Sequence, residues 1–248
     1  MYRLGLVSVS FRDKAPEEII SAVKSAGLTC IEWGSDVHAP RDSQGKLDEI
    51  AALQNKYGID CCSYGTYFKL GVTPVGELQG YINAAKILGT NILRLWCGNK
   101  NSTQYTETEK QELFEICRAA AGIAEKNGVT LCMECHGGTY TNKLASAIEL
   151  MQAVNSKSFR MYWQPNQFAK VEDNLCYAEK IAPYTEHIHV FNWDEKAKYP
   201  LEAAADIWKA YIQRLGDGRT LLLEFMPDDK IETLEIEADA LRKIVGEA

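Results

Sequence analysis

One pattern recurs about eight times along the chain: a short run rich in Val, Ile, Leu or aromatic residues, a polar loop, then an amphipathic stretch with helical spacing. It limits the fold more than any other feature, because strands that alternate with helices form a parallel sheet with helical crossovers. The expected strands are Tyr2–Ser8, Thr29–Trp33, Ile59–Tyr64, Ile92–Cys97, Thr130–Glu134, Arg160–Trp163, His187–Phe191 and Thr220–Phe225. Helices are expected near Pro16–Ala26, Gln44–Tyr57, Pro74–Leu88, Glu107–Asn127, Leu144–Ala153, Glu172–Ile181, Leu201–Leu215 and Ile231–Gly246. Pro16 and Pro74 suit a first helical turn. Gly27, Gly58, Gly89 and Gly128 each read as a helix stop just before a new strand.

Eight such units take up all 248 residues, with no Gly/Ser/Pro-rich linker between them. The expectation is one domain, residues 1–248, closed into a (β/α)8 TIM barrel, with an open doubly wound sheet as the alternative. Neither GxGxxG nor GxxxxGK[ST] occurs, so dinucleotide-fold and P-loop chemistry have no support. An excess of 34 Asp and Glu over 27 Lys and Arg argues against nucleic acid or an anionic membrane as partner. No run approaches the roughly 18 apolar residues that cross a bilayer. The N-terminus lacks the apolar core and cleavage site of a signal peptide, which predicts a cytoplasmic location and free thiols. In Cys132-Met-Glu-Cys135, residues three apart on a strand face opposite ways, so neither a redox pair nor a zinc knuckle is expected.

In a barrel, chemistry sits at the C-terminal ends of the strands. The fifth expected strand places Thr130, Cys132 and Glu134 on one face and Leu131 and Met133 on the other. Its apolar face suits the outer helices, so Glu134 is directed to the mouth. The sixth runs into Gln164, the seventh puts His187 and His189 on one face, and the eighth leads to Glu224. Neighbouring strands lie roughly 4.8 Å apart, so Glu134, Gln164, His189 and Glu224 can converge. Two carboxylates, an imidazole and an amide oxygen suit Mn2+, Mg2+, Co2+ or Zn2+. The plainer alternative is four separate solvated or paired groups. His187 lies one layer deeper, as a further ligand or a hydrogen-bonded core histidine. In the first half, Glu32 and Arg94 are read as an internal ion pair under the site, with Arg94 also a candidate substrate contact. Trp96 either walls the pocket or packs in the core. His38 reads most simply as a surface loop residue, with a substrate contact as the alternative.

With these residues placed, the chain resembles the xylose isomerase-like superfamily of TIM barrels along essentially its whole length. The resemblance rests on Glu134-Cys-His136-Gly-Gly, His187-Ile-His189-Val, Leu-Leu-Leu-Glu224-Phe, Glu32-Trp-Gly-Ser-Asp-Val-His38 and Leu93-Arg94-Leu-Trp96-Cys-Gly98. It implies a divalent metal held by residues on strands five to eight, here Glu134, Gln164, His189 and Glu224. The family has Asp where Gln164 stands, and its Asp-x-x-His is here Gln164-Pro-Asn-Gln167. An amide ligates through oxygen but brings no charge, so weaker divalent affinity is expected.

The activity implied is proton abstraction next to a carbonyl. A cation polarises an open-chain sugar or sugar phosphate, and Glu134 and Glu224 act as an acid/base pair through an enediolate. The result is isomerisation or epimerisation. His136, His38, Trp96, Arg94 and Gln167 are the expected substrate contacts. Tyr64 and Trp193 are further wall candidates, and Lys196 and Lys198 are loop lysines that an anionic substrate would meet. The partner is a small carbohydrate, and exposed barrel faces are compatible with a homo-oligomer. Alternatives are a metal-dependent sugar or inosose dehydratase and a non-catalytic sugar-binding barrel. A DNA-repair endonuclease of this superfamily needs three metals and many histidines, against four here.

Overall fold

Eight parallel strands pair in chain order, and the last pairs with the first, so the sheet closes on itself. They are β1 Arg3–Val7, β2 Cys30–Gly34, β3 Asp60–Leu70, β4 Ile92–Cys97, β5 Thr130–Glu134, β6 Phe159–Trp163, β7 Thr185–Val190 and β8 Thr220–Leu223. The helices between and after them are α1 Pro16–Ser25, α2 Gln44–Tyr57, α3 Leu78–Ile87, α4 Glu107–Asn127, α5 Leu144–Val154, α6 Val171–Ile181, α7 Ala205–Leu215 and α8 Leu234–Val245. This computed structural model describes residues 2–246. The architecture is the (β/α)8 barrel that the alternation predicts, and the open sheet is excluded by the β1–β8 pairing.

Strand alternation sorts the side chains into two cores. Leu131 and Met133 join the large cluster between barrel and helices, with Leu93, Leu95, Ile188 and Val190. Val7, Cys30, Cys62, Cys132, Tyr162 and Leu222 form a separate cluster inside the barrel. The two cysteines of the CxxC are divided accordingly. Cys132 is inside, and Cys135 packs outside with its thiol on the Tyr177 hydroxyl at 3.2 Å. All eight cysteines are free. Among the described residues no helix is long and apolar enough to cross a membrane.

Strand β7 begins at Thr185, two residues earlier than expected, β8 stops at Leu223, before Glu224 and Phe225, and two further departures are larger. Helices α3, α7 and α8 begin later than expected, because their first residues form tight 3-10 turns at Val75–Glu77, Leu201–Ala204 and Ile231–Thr233. Strand β3 runs on from Tyr64 to Leu70. Its pairing with β4 passes from Gly65↔Arg94 to Lys69↔Trp96, so β3 carries extra residues across a bulge. The bulge delivers Lys69 to the mouth beside Trp96.

Candidate functional site

Four strand ends bring their polar residues to one atom. His189 Nδ1 lies 2.9 Å from Gln164 Oε1, 3.6 Å from Glu224 Oε2 and 3.7 Å from Glu134 Oε1. His189 is fully buried, and Glu134 and Glu224 nearly so. β5 and the β7–β8 register account for this: Glu134 closes β5, His189 pairs with Leu222, and Glu224 follows β8 directly. Phe225, the next residue, is held at φ 59°, a left-handed conformation uncommon for a non-glycine residue. Its amide donates to Ser10 Oγ at 2.9 Å, which pins the chain just past Glu224.

Beneath these four lies a layer of charge. Arg94 donates from Nε to Glu32 Oε1 at 2.8 Å and from Nη1 to Glu134 Oε2 at 2.5 Å. The Trp96 indole N–H donates to the same Glu134 oxygen. Glu32 has no exposed surface and accepts from Ser63 Oγ at 2.6 Å, which in turn accepts from the Tyr162 hydroxyl at 2.6 Å. Ser63 and Tyr162 were not singled out in the sequence, although period-two alternation places Tyr162 inside. Arg94 is thus committed to two carboxylates below the mouth instead of being presented to a ligand.

The carboxyls are electrically distinct. Burial drives the Glu32 carboxyl up, but Arg94, His189 and Ser63 outweigh it and hold it well below the usual range. Glu134 is lowered in the same way, with burial overcome by Arg94 and His189. Glu224 is raised, chiefly by burial, with the charges of Glu134 and Glu32 adding to it. Burial lowers the His189 imidazole, yet Glu224, Glu32 and Glu134 together raise it above its ordinary value.

The donor chemistry fits a divalent cation of the hard to borderline kind. Around metal–ligand bonds of about 2.1 Å, neighbouring donors stand about 3.0–3.4 Å apart. The Glu134 and Glu224 oxygens are a few tenths of an ångström farther from His189 Nδ1 than that. Among the described residues no group of three or more His, Cys, Asp or Glu side chains is arranged closely enough to hold a metal ion. The other ring nitrogen, His189 Nε2, is buried without a hydrogen bond and faces Glu32 Oε1 at 3.7 Å. A carboxylate behind a ligating histidine is the usual arrangement for orienting it.

The remaining candidates divide by location. A cavity of about 170 Å3 is lined by Gln164, His136, Gln167, Phe168 and Trp193, among others. Trp96 faces the mouth with the His136 ring at 5.2 Å and the Tyr67 ring at 5.4 Å between centroids. His38 is buried, with Nδ1 3.0 Å from Ser8 Oγ and its ring edge-on to Trp33. Tyr64 does not wall the pocket: it belongs to the outer core, and its hydroxyl donates to Ala39 O at 2.6 Å. His187 is a core histidine, its Nε2 3.2 Å from Cys62 O. Lys198 is paired with Asp229. Larger cavities of about 560 and 440 Å3 lie at the barrel floor by Arg3 and Asn91, and beside Arg118 and Lys157. None of the three cavities is lined by Glu134, His189 or Glu224; the 170 Å3 cavity reaches the cluster only through Gln164.

Comparison with known proteins agrees with the barrel fold. The model of the xylose isomerase-like TIM barrel family matches residues 20–244. A 3-dehydroshikimate dehydratase of Bacillus anthracis is 20% identical over 208 residues, covering 77% of this chain and 71% of the relative. The crystal structure of the probable 3-DHS dehydratase AsbF from the same organism superposes with a TM-score of 0.82 at 16% identity, over 97% of this chain and 98% of the other. D-psicose 3-epimerase of Clostridium cellulolyticum H10, crystallised with D-tagatose, gives 0.75 at 14% identity over 98% of both chains. The IOLI protein, crystallised with a zinc atom, gives 0.76 at 15% identity, over 99% of this chain and 97% of the other. At such identities the structural likeness speaks to the fold alone.

Proposed function

The chain belongs to the xylose isomerase-like TIM barrel family, and from that premise we propose that it transfers a proton at a carbon next to a carbonyl in a small sugar-like molecule, as an isomerase or epimerase. The observation that carries this reading is the convergence of Glu134, Gln164 and Glu224 on His189 Nδ1 at the barrel mouth. Those four residues would hold a divalent cation. When bound, it supplies Lewis acidity to the carbonyl and an adjacent hydroxyl oxygen.

This chain's own residues divide the remaining work. Glu134 Oε2 is taken by Arg94 and Trp96, which keeps that carboxylate ionised and fixed in place. Glu224 accepts no side-chain hydrogen bond among the described residues, and the one basic side chain within ion-pair distance there is His189 at 3.6 Å. Glu224 is therefore the carboxylate free to take the proton, and Glu134 faces the substrate as its partner in the exchange. His136 and Gln167 line the cavity where the substrate's hydroxyls would lie, and the Trp96 ring offers an apolar wall.

The dehydratase relative favours a second reading with the same first step. Proton removal is then followed by cleavage of the C–O bond β to the carbonyl, and the hydroxyl leaves as water. One experiment separates the readings. A panel of ketoses, aldoses, inososes and 3-dehydroshikimate is incubated with enzyme and Mn2+ in D2O. Deuterium incorporation without mass loss supports isomerisation or epimerisation, and loss of water supports dehydration. Glu134→Gln and Glu224→Gln should each abolish exchange. Exchange that survives both changes rules out the two-carboxylate scheme, and binding without any exchange identifies a non-catalytic barrel.

A further inference from the structure

Most basic side chains around the mouth are matched by acids. Arg94 holds Glu32 and Glu134, Lys100 holds Glu109, and Lys198 holds Asp229. Lys69 differs. It is only partly exposed, makes no ion pair among the described residues, and rests its ammonium 4.9 Å from the centre of the Trp96 ring. The β3 bulge sets it in register with Trp96, so the two share a face at the C-terminal edge of the barrel. The Trp96 indole N–H in turn holds Glu134. A single ring thus separates an unmatched cation from the proposed proton-transfer site.

An ammonium over an indole face keeps its charge and its donors directed outward, because the ring attracts it without accepting its hydrogen bonds in full. Held there without an acidic partner, the ammonium has N–H donors to offer an anion. We propose that Lys69 recognises an anionic group of the substrate, a carboxylate or a phosphate, while the carbonyl end of the same molecule reaches Glu134 and Glu224 across the Trp96 face. The inference deepens the proton-transfer reading and rests on it for the position of the carbonyl, but the anion site itself stands on Lys69 and Trp96. It makes the substrate a small anion rather than a neutral sugar.

The test is direct binding. Wild-type protein, Lys69→Met and Lys69→Arg are titrated with inorganic phosphate and, separately, with acetate, and indole fluorescence is read. Met keeps an apolar stem over Trp96, and Arg keeps the charge. The expected result is saturable quenching of wild type by one of the two anions, which also tells phosphate from carboxylate. Kd should be at least tenfold weaker in Lys69→Met and within about threefold of wild type in Lys69→Arg. Equal responses in wild type and Lys69→Met, or no saturable response of wild type to either anion, overturn the assignment. Lys69-dependent binding in a protein that exchanges no substrate hydrogen refutes the proton-transfer reading and leaves the anion site standing.

Discussion

A methyl group on Gly65 would lie 2.6 Å from Glu32 Oε1 and 2.9 Å from Arg94 Nη2, closer than side-chain carbons approach such atoms. Glycine is needed there because β3 passes directly against the buried ion pair. Gly65→Ala should therefore displace Arg94, loosen its bond to Glu134 and cost about 1–3 kcal/mol in stability, the usual range for overpacking a filled interior. Urea unfolding measures it, and an unchanged midpoint would show that the pair has room to move. The Glu32–Arg94 pair was legible in the sequence, since both lie on inward faces near strand ends. The second bond of Arg94, to Glu134, was not. It depends on the reach of a long side chain across the interior, which alternation does not specify.

Helix α4 shows what an element's ends contribute. Thr106 caps it, Glu109 reaches back to the Thr106 amide at 2.8 Å, and Gly128 ends it in the left-handed region at φ 68°. Lys100, with help from the Thr106 amide and hydroxyl, pulls the Glu109 carboxyl down to about 2. The folded value lies below the unfolded one of about 4.3. The contribution of Glu109 is therefore complete above about pH 4.3 and disappears as the pH falls towards 2. Glu109→Gln should unfold at lower urea than wild type at pH 7, and the gap should narrow steadily between pH 4.5 and 3. A gap independent of pH would mean that the charge of Glu109 contributes nothing. The helix bounds Glu107–Asn127 and Gln44–Tyr57 match the expected ones, and Gly128 and Gly58 marked their ends because a glycine stop is a local signal. The extension of β3 to Leu70 was not, because a bulge is held by pairing with β4, a contact between segments distant in sequence.

At the scale of the molecule, barrel closure assembles the proposed cation site from β5 to β8, and Gln164 sets its charge. With an amide at this corner, the donor set carries two carboxylates, Glu134 and Glu224. Gln164→Asp should tighten Mn2+ binding by about tenfold or more, since divalent affinity rises with the number of anionic ligands. Isothermal titration of wild type and variant measures this. Equal affinities would exclude position 164 as a ligand.

The sequence by itself determined the order of eight strands and helices, the faces that the side chains of β5 and β7 occupy, and hence which of their polar residues are directed to the mouth. These follow from periodicities of 2.0 and 3.6 and from turn chemistry, all of which act between near neighbours. Tertiary structure alone decided which of those residues touch. It joined Arg94 to Glu134, 40 positions away, buried His38 against Ser8, turned Tyr64 to the outer core, and set Lys69 over Trp96. Coulombic attraction, burial and hydrogen bonding depend on distance through space, and that distance exists only once the strands have paired and curved into the barrel.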